Sequence, residues 1–197
     1  MTAVGARSKT GWRLVAYAAL VSLGASSVAV GAPKKPDVIR AFSAHADTYV
    51  SAARPQANFG RSRLLRADAA PQTTTYLRFR LKKLSGDIES VTLLLHAKAG
   101  APASFEVRQV REDGWRERLL TYANAPRLSL RYGSSKPVRR GAWSAVDVTS
   151  FVSGVEDVNL AITTRSRLGV VFDSRETKHG PRLVVTTSKK EDGAEGK

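Results

Sequence analysis

The stretch TYLRFRL, residues 75–81, decides the fold class because its apolar and polar side chains alternate strictly. The side chains divide between two faces, with Leu77, Phe79 and Leu81 on one and Tyr76, Arg78 and Arg80 on the other. A period of two is typical of a β-strand with one face in the core and the other toward solvent. The stretch therefore predicts a strand whose arginines share one face of a sheet.

Similar strand signals recur along the chain, separated by Gly, Pro, Asn, Asp and Ser. The further runs are DTYVSA (47–52), SRLLRAD (62–68), SVTLLLHAK (90–98), ASFEVRQV (103–110), NLAITTR (159–165), GVVFDS (169–174) and PRLVVTT (181–187). No long amphipathic helix is visible, and only VTSFVSGV, 148–155, predicts one or two helical turns. Many short strands without alternating helices indicate an all-β protein, an antiparallel β-sandwich of the jelly-roll type.

The two ends of the chain differ in composition from the strand-rich part. Residues 1–31 have a basic start and an apolar run that exits through small residues, which is typical of a secretory signal peptide. An uncleaved membrane anchor is the alternative, although the apolar run is short for a bilayer span. We predict a linker at 32–40, the β-sandwich domain at 41–188 and a disordered charged tail at 189–197.

Cysteine content and net charge narrow the possible classes of function. The chain has no cysteine, which excludes disulfides, thiolate metal sites and a cysteine nucleophile. Its formal net charge is +15, and +12 remains once the three basic residues of the signal are removed. Such a surface favours anionic polymers, or it simply keeps the protein soluble. We therefore expect a secreted, extracellular protein that meets polyanions.

Seven stretches follow one another along the chain: ADTYV (46–50), NFG (58–60), TYLRFRL (75–81), IESVTLLL (88–95), GWRERLLTYANAP (114–126), DVTSFV (147–152) and FDSRETKHGPRLVV (172–185). Together and in this order they resemble the secreted DNRLRE domain, which is also carbohydrate-binding module family 96. The resemblance implies a β-sandwich with a non-catalytic role and acidic, alginate-like polysaccharide as a ligand class. Tyr122 stands where a tryptophan is more usual in the family.

Arginines recur two residues apart in several predicted strands, so that each pair points to one side of a sheet. Guanidinium groups bind carboxylates through paired hydrogen bonds, and an aromatic ring beside them packs on the apolar face of a sugar. The predicted ligand-binding residues are Tyr76, Arg78, Arg80, Arg108, Arg165 and Arg167. The alternative is an ordinary polar strand surface. Trp115 and Trp143 are expected to pack in the core or at a strand edge rather than to serve as platforms for a sugar ring.

Side chains typical of hydrolases cluster in VVFDSRETKHGPRLVV, residues 170–185. Ser174 and His179 are the candidate nucleophile and base, with Asp173 and Glu176 nearby. A nucleophilic serine needs a histidine within hydrogen-bond reach, and no G-x-S-x-G motif is present. Strand alternation places Asp173 and Ser174 on opposite faces. We therefore interpret this stretch as a bend between two strands and expect no enzymatic activity.

Metal-ligand spacing is absent from the sequence. The three histidines, His45, His96 and His179, are far apart and form no zinc motif. A structural Ca²⁺ would use oxygen ligands such as Asp47 or Asp147, but no EF-hand loop is present. Asp147 is also well placed to cap the helical turn that follows it. We predict no cofactor.

The favoured function is a secreted, non-catalytic carbohydrate-binding module for an acidic, uronate-type polysaccharide or an anionic cell-surface glycan. One alternative is a structural or adhesive extracellular protein, and a weaker alternative is a polysaccharide lyase or hydrolase. We expect a monomer that binds no nucleic acid physiologically and, once the signal is cleaved, no membrane.

Overall fold

The computed structural model describes residues 38–82, 84–99, 103–130, 132–152 and 157–188. The predicted signal peptide, the predicted charged tail and residues 32–37 of the predicted linker lie outside the described residues. The first strand begins at Val38, so residues 38–40 belong to the folded domain and not to the linker. In the described ranges, no helix is long and apolar enough to cross a membrane.

The described residues are almost entirely strand and loop. The strands are β1 (Val38–Ser43), β2 (Ala46–Ser51), β3 (Leu64–Ala69), β4 (Gln72–Arg80), β5 (Ile88–Ala99), β6 (Glu106–Gln109), β7 (Tyr132–Ser134), β8 (Trp143–Asp147), β9 (Asp157–Thr163), β10 (Val170–Asp173) and β11 (Arg182–Thr187). Short 3₁₀ turns lie at Tyr122–Asn124 and Thr149–Phe151. The strands pair antiparallel, which confirms the predicted all-β class.

The strands form a curled sheet with two halves. In one half, here the β5 sheet, the order is β1, β11, β5, β8. In the other half, the β4 sheet, the order is β2, β4, β9, β6, β7. Strands β3 and β10 pair with each other and join the halves, because β3 also pairs with β4 and β10 also pairs with β5. This arrangement is consistent with the predicted β-sandwich.

The main core contains the apolar side chains of both halves. Leu77 and Phe79 of β4 are fully buried in it, together with Leu93 and Leu95 of β5. Leu77 and Phe79 are apolar members of the alternating stretch 75–81, so its predicted inward face is confirmed. Burying each such side chain contributes about 1.5–3 kcal/mol, which makes this core the main source of stability.

A second, smaller core lies on the outer face of the β4 sheet. The loop of residues 110–128, here the covering segment, packs Val110, Trp115 and Leu120 against that face. The sheet contributes Ala46, Val50, Tyr76 and Ala161. This cover is not apparent in the sequence, because the covering segment has no regular hydrophobic period. It decides which strand residues remain accessible to a ligand.

Candidate functional site

The face predicted to bind ligand is the outer face of the β4 sheet. Tyr76 of β4 pairs with Ala161 of β9, and Ala161 pairs in turn with Arg108 of β6. Arg108 therefore joins Tyr76 on one face, and Arg78 lies on that face two residues further along β4. The alternation in the sequence predicts that Tyr76 and Arg78 share a face, whereas the place of Arg108 beside them depends on the pairing of β6 with β9, which the sequence does not show.

Tyr76 does not offer its ring to a ligand on that face. It is only 3% exposed and lies under the covering segment, where its ring is 6.1 Å from that of Trp115. Its hydroxyl donates a hydrogen bond to the Pro126 carbonyl oxygen at 3.1 Å, and burial is the main cause that raises its pKa. The interpretation of Tyr76 as a surface aromatic is therefore wrong, because the outward strand position is covered by another part of the chain.

Arg78 fastens the covering segment to the sheet. Its Nη2 donates to the carbonyl oxygens of Asp113 and Trp115, the latter at 2.9 Å, and its Nε donates to Asn159 Oδ1 at 2.8 Å. The guanidinium carbon lies 4.5 Å from the Trp115 ring centroid, which is a cation–π distance. Burial is the largest cause that lowers the Arg78 pKa. These contacts explain a structural role for this arginine.

The other predicted arginines differ in how far they are engaged. Arg80 Nε lies 3.1 Å from Asp157 Oδ1. Arg108 and Arg165 meet the same carboxylate, that of Glu106, at 2.5 and 2.8 Å. Arg167 is exposed in the turn before β10. The six predicted residues therefore do not converge on one open site, and ligand contact by the exposed arginines stays a prediction.

The candidate hydrolytic residues form no catalytic pair. Ser174 is fully buried, and its hydroxyl donates to Glu176 Oε2. Asp173 Oδ2 lies 2.7 Å from His96 Nδ1, and Lys98 Nζ lies 3.9 Å from Asp173 Oδ1. In the described ranges, no histidine nitrogen is within hydrogen-bond distance of the Ser174 hydroxyl. The stretch is a bend between β10 and β11, as the sequence indicates.

An exposed tryptophan stands on the edge strand of the β5 sheet. Trp143 opens β8, is 41% exposed and pairs directly with His96 of β5. Its ring centroid is 5.2 Å from that of His96 and 6.2 Å from that of His179, both edge to face. Arg182 Cζ lies 5.2 Å from the same ring. The expected strand-edge packing of Trp143 is present, yet much of its indole remains open to solvent.

Trp143 lines a groove of about 370 Å³ between β8 and the loop that precedes it. Lys136 and Arg139 line the same groove from that loop and are exposed. In the described part of the chain, neither cation has an ion-pair partner. The acid in the groove, Asp147, is engaged elsewhere, because its Oδ1 accepts from Thr149 N at 2.8 Å and from the Thr149 hydroxyl at 2.6 Å. The groove therefore combines an open aromatic ring with a net positive charge, because the Asp147 carboxylate offsets only one of the two cations.

A second groove, of about 500 Å³, lies where β2 and β3 diverge. Tyr49 and Phe59 stack in it with ring centroids 4.2 Å apart and planes 13° apart. Arg54 and Arg66 line its sides. Each ring covers part of the other and both are half-buried, so this groove offers less open aromatic surface than Trp143 does.

Partial burial, together with the neighbouring His96 and Lys178, lowers the pKa of His179. The lowered pKa favours the neutral imidazole, whose ring packs edge to face with that of Trp143. The lining of the Trp143 groove lies within residues 134–147, yet sequence reasoning missed it because a strand pattern does not show that an indole at a strand edge stays open to solvent. The available signals were a histidine at an outward strand position and a tryptophan beside the basic run KPVRR.

The comparisons with known proteins agree with this architecture. The model of carbohydrate-binding module family 96 matches residues 38–187, a range that includes all eleven strands and both grooves. None of the curated proteins compared with the chain matches it. The match covers more than half of the chain and begins at the first residue of β1. The chain belongs to carbohydrate-binding module family 96.

Proposed function

We propose that this protein binds an acidic polysaccharide of the uronate type, or an anionic cell-surface glycan, in the groove beside Trp143. The observation that carries the proposal is the 41% exposed Trp143 next to Lys136 and Arg139. An indole packs on the apolar face of a sugar ring, while lysine and arginine attract carboxylates. Neutral sugars would use the ring but not the two cations.

The family supports a binding role rather than a catalytic one, and the buried, hydrogen-bonded Ser174 agrees with that. The positive net charge supports an anionic ligand, since it raises the local concentration of a polyanion before specific contacts form. The basic and apolar start of the chain supports export, which would place the protein where matrix and wall glycans occur. We propose that the exported protein acts as a monomer.

Binding isotherms on a panel of polysaccharides test this proposal. The panel contains alginate, polygalacturonate, a neutral glucan and an anionic wall polymer, each at low salt and at about 0.2 M salt, where charges beyond roughly 8 Å are screened. We expect saturable binding to one uronate polymer that survives the higher salt. Trp143→Ala should weaken it about tenfold or more, because truncating an aromatic hot-spot residue typically costs about 2 kcal/mol or more.

Matched charge variants separate a defined site from diffuse attraction. Lys136→Ala/Arg139→Ala removes two positive charges from the groove, and Arg116→Ala/Arg118→Ala removes two exposed positive charges from the covering segment. The groove pair should lose binding and the control pair should keep it. Equal losses in both pairs, or binding to every polyanion that disappears with salt, would mean counterion release alone. Arg54→Ala/Arg66→Ala reports whether the Tyr49 groove is used instead.

A further inference from the structure

Three acidic residues from distant parts of the chain meet at one end of β2. Asp47 belongs to β2, Glu117 to the covering segment and Glu176 to the bend between β10 and β11. One carboxylate oxygen from each lies within 4.8 Å of the other two. We call these residues the acidic trio. The repulsion of three carboxylates at this spacing requires positive charge or protons to offset it.

Asp47 is the member of the trio that has a carboxylate oxygen without a hydrogen-bond partner in the described ranges. It is 2% exposed, and its Oδ2 accepts from the Arg175 backbone N–H at 2.7 Å. Its Oδ1 is buried and has no hydrogen-bond partner in the described ranges. A buried polar atom without a partner costs about 1–3 kcal/mol, so proteins seldom retain one without a reason. Burial, with further contributions from Glu176 and Glu117, raises the pKa of Asp47 to about 7.

Arg175 compensates the trio only in part. Its Nε and Nη2 lie 2.8 and 3.0 Å from the two oxygens of Glu117, and its Nε lies 3.3 Å from Glu176 Oε1. No guanidinium nitrogen is within hydrogen-bond distance of the free oxygen of Asp47. One guanidinium thus faces three carboxylates. Its side chain is 35% exposed, which leaves it room to move toward solvent.

We propose that the acidic trio binds a divalent cation of calcium size, with Asp47, Glu117 and Glu176 as its protein ligands. Calcium takes oxygen ligands at about 2.3–2.6 Å, so two ligands on opposite sides of the ion are roughly 5 Å apart, which suits the spacing of the trio. Magnesium requires about 2.0–2.1 Å and near-ideal octahedral geometry, and it usually keeps several waters instead of relying on protein carboxylates alone. The cation gives the free oxygen of Asp47 its missing partner.

Such a cation ties together three segments that the strand pairing alone does not join. It links the covering segment to the first residues of the β4 sheet and to the β10–β11 bend. Binding to the folded state alone raises stability by mass action. At a Ca²⁺ concentration about 100 times the Kd, the melting temperature should rise by roughly 5–10 °C for a domain of this size.

Calorimetric titration and thermal unfolding of the purified, EDTA-treated chain test the proposal. Ca²⁺ and Mg²⁺ are titrated to about 5 mM, beyond the roughly 0.1–1 mM Kd of extracellular calcium modules. Asp47→Asn and Glu176→Gln each remove one ligand charge with little change of shape. Glu112→Gln is the matched control, because Glu112 is an exposed acid outside the trio.

Three results would support the site. The wild type should bind one Ca²⁺ per chain and melt at a higher temperature with Ca²⁺ than with Mg²⁺. Both trio variants should bind Ca²⁺ at least tenfold more weakly, and the control should not. Absence of Ca²⁺ binding to the wild type at 5 mM overturns it, as does binding that both variants retain. If Asp47→Asn does not fold, Glu176→Gln alone decides, because its side chain is partly exposed and tolerates the change.

Discussion

A substitution of Arg78 distinguishes most clearly between a ligand-binding role and a structural role for this arginine. Replacing it with methionine keeps an apolar chain of similar length but removes the guanidinium. The variant loses the hydrogen bonds to the carbonyl oxygens of Asp113 and Trp115 and to Asn159, together with the cation–π contact at 4.5 Å. The covering segment then loses its main polar attachment to β4.

The expected cost follows from these contacts. Each net hydrogen bond contributes about 0.5–1.5 kcal/mol, and a half-exposed cation–π contact adds about 0.5–1 kcal/mol. Solvent replaces part of the bond to the exposed Asp113, so we expect Arg78→Met to destabilise the fold by about 2–3 kcal/mol. This corresponds to a melting temperature lower by roughly 5–10 °C.

Arg80 provides the control for this measurement. It lies on the same strand and face, but its side chain is 42% exposed and its ion pair with Asp157 is solvated. Arg80→Met should therefore cost less than about 1 kcal/mol. Urea and thermal unfolding of both variants give the comparison, and glycan binding is measured alongside. An Arg78→Met protein with unchanged stability and lost glycan binding would refute the structural role.

Two further substitutions test the packing of the covering segment and the hydrogen bonds of the 3₁₀ turn after β8. Gly60→Ala should destabilise the fold by about 1–3 kcal/mol, because the added Cβ would lie 2.2 Å from the Glu117 carbonyl oxygen, whereas Gly114→Ala meets nothing within 4 Å and should be nearly neutral in urea unfolding. Asp147→Ala should cost about 1 kcal/mol, because it removes the acceptor of the Thr149 backbone N–H and hydroxyl. The hydrogen bonds from Thr149 lower the pKa of Asp147 from its ordinary value, so this difference should be fully present above about pH 5 and shrink as the pH falls. Unfolding curves at several pH values measure it, and an undiminished difference at pH 2 would contradict it.

Strand alternation carried most of the information about the fold. The outward position of Arg78 and the inward position of Phe79 follow from a period of two and one buried face. The burial of Tyr76 does not follow, because it depends on the covering segment. That segment has no period, and its Trp115 and Leu120 find their places only through tertiary contacts. Alternation identifies a face but not what lies over it.

The candidate sites also depend on tertiary contacts that local sequence patterns do not show. Trp143 and Lys136 are close in the sequence, yet His96 and His179 reach the tryptophan only through the pairing of β5 with β8 and the bend before β11. The acidic trio brings together residues that are 59 to 129 positions apart, which local sequence motifs do not connect. Asp47 was a candidate Ca²⁺ ligand from the sequence, but its partners depend on strand register and on the covering segment.

The most direct test of the proposed glycan site uses the two tryptophans of the folded domain as probes. Trp143 is exposed in the groove, whereas Trp115 is buried and donates its indole N–H to Asn159 Oδ1 at 3.0 Å. In ¹H–¹⁵N spectra at about 0.2 M salt, titration with a uronate oligosaccharide should shift the Trp143 indole signal saturably and leave that of Trp115 in place. Saturable binding with no shift at Trp143 would contradict the account and place the ligand elsewhere on the domain.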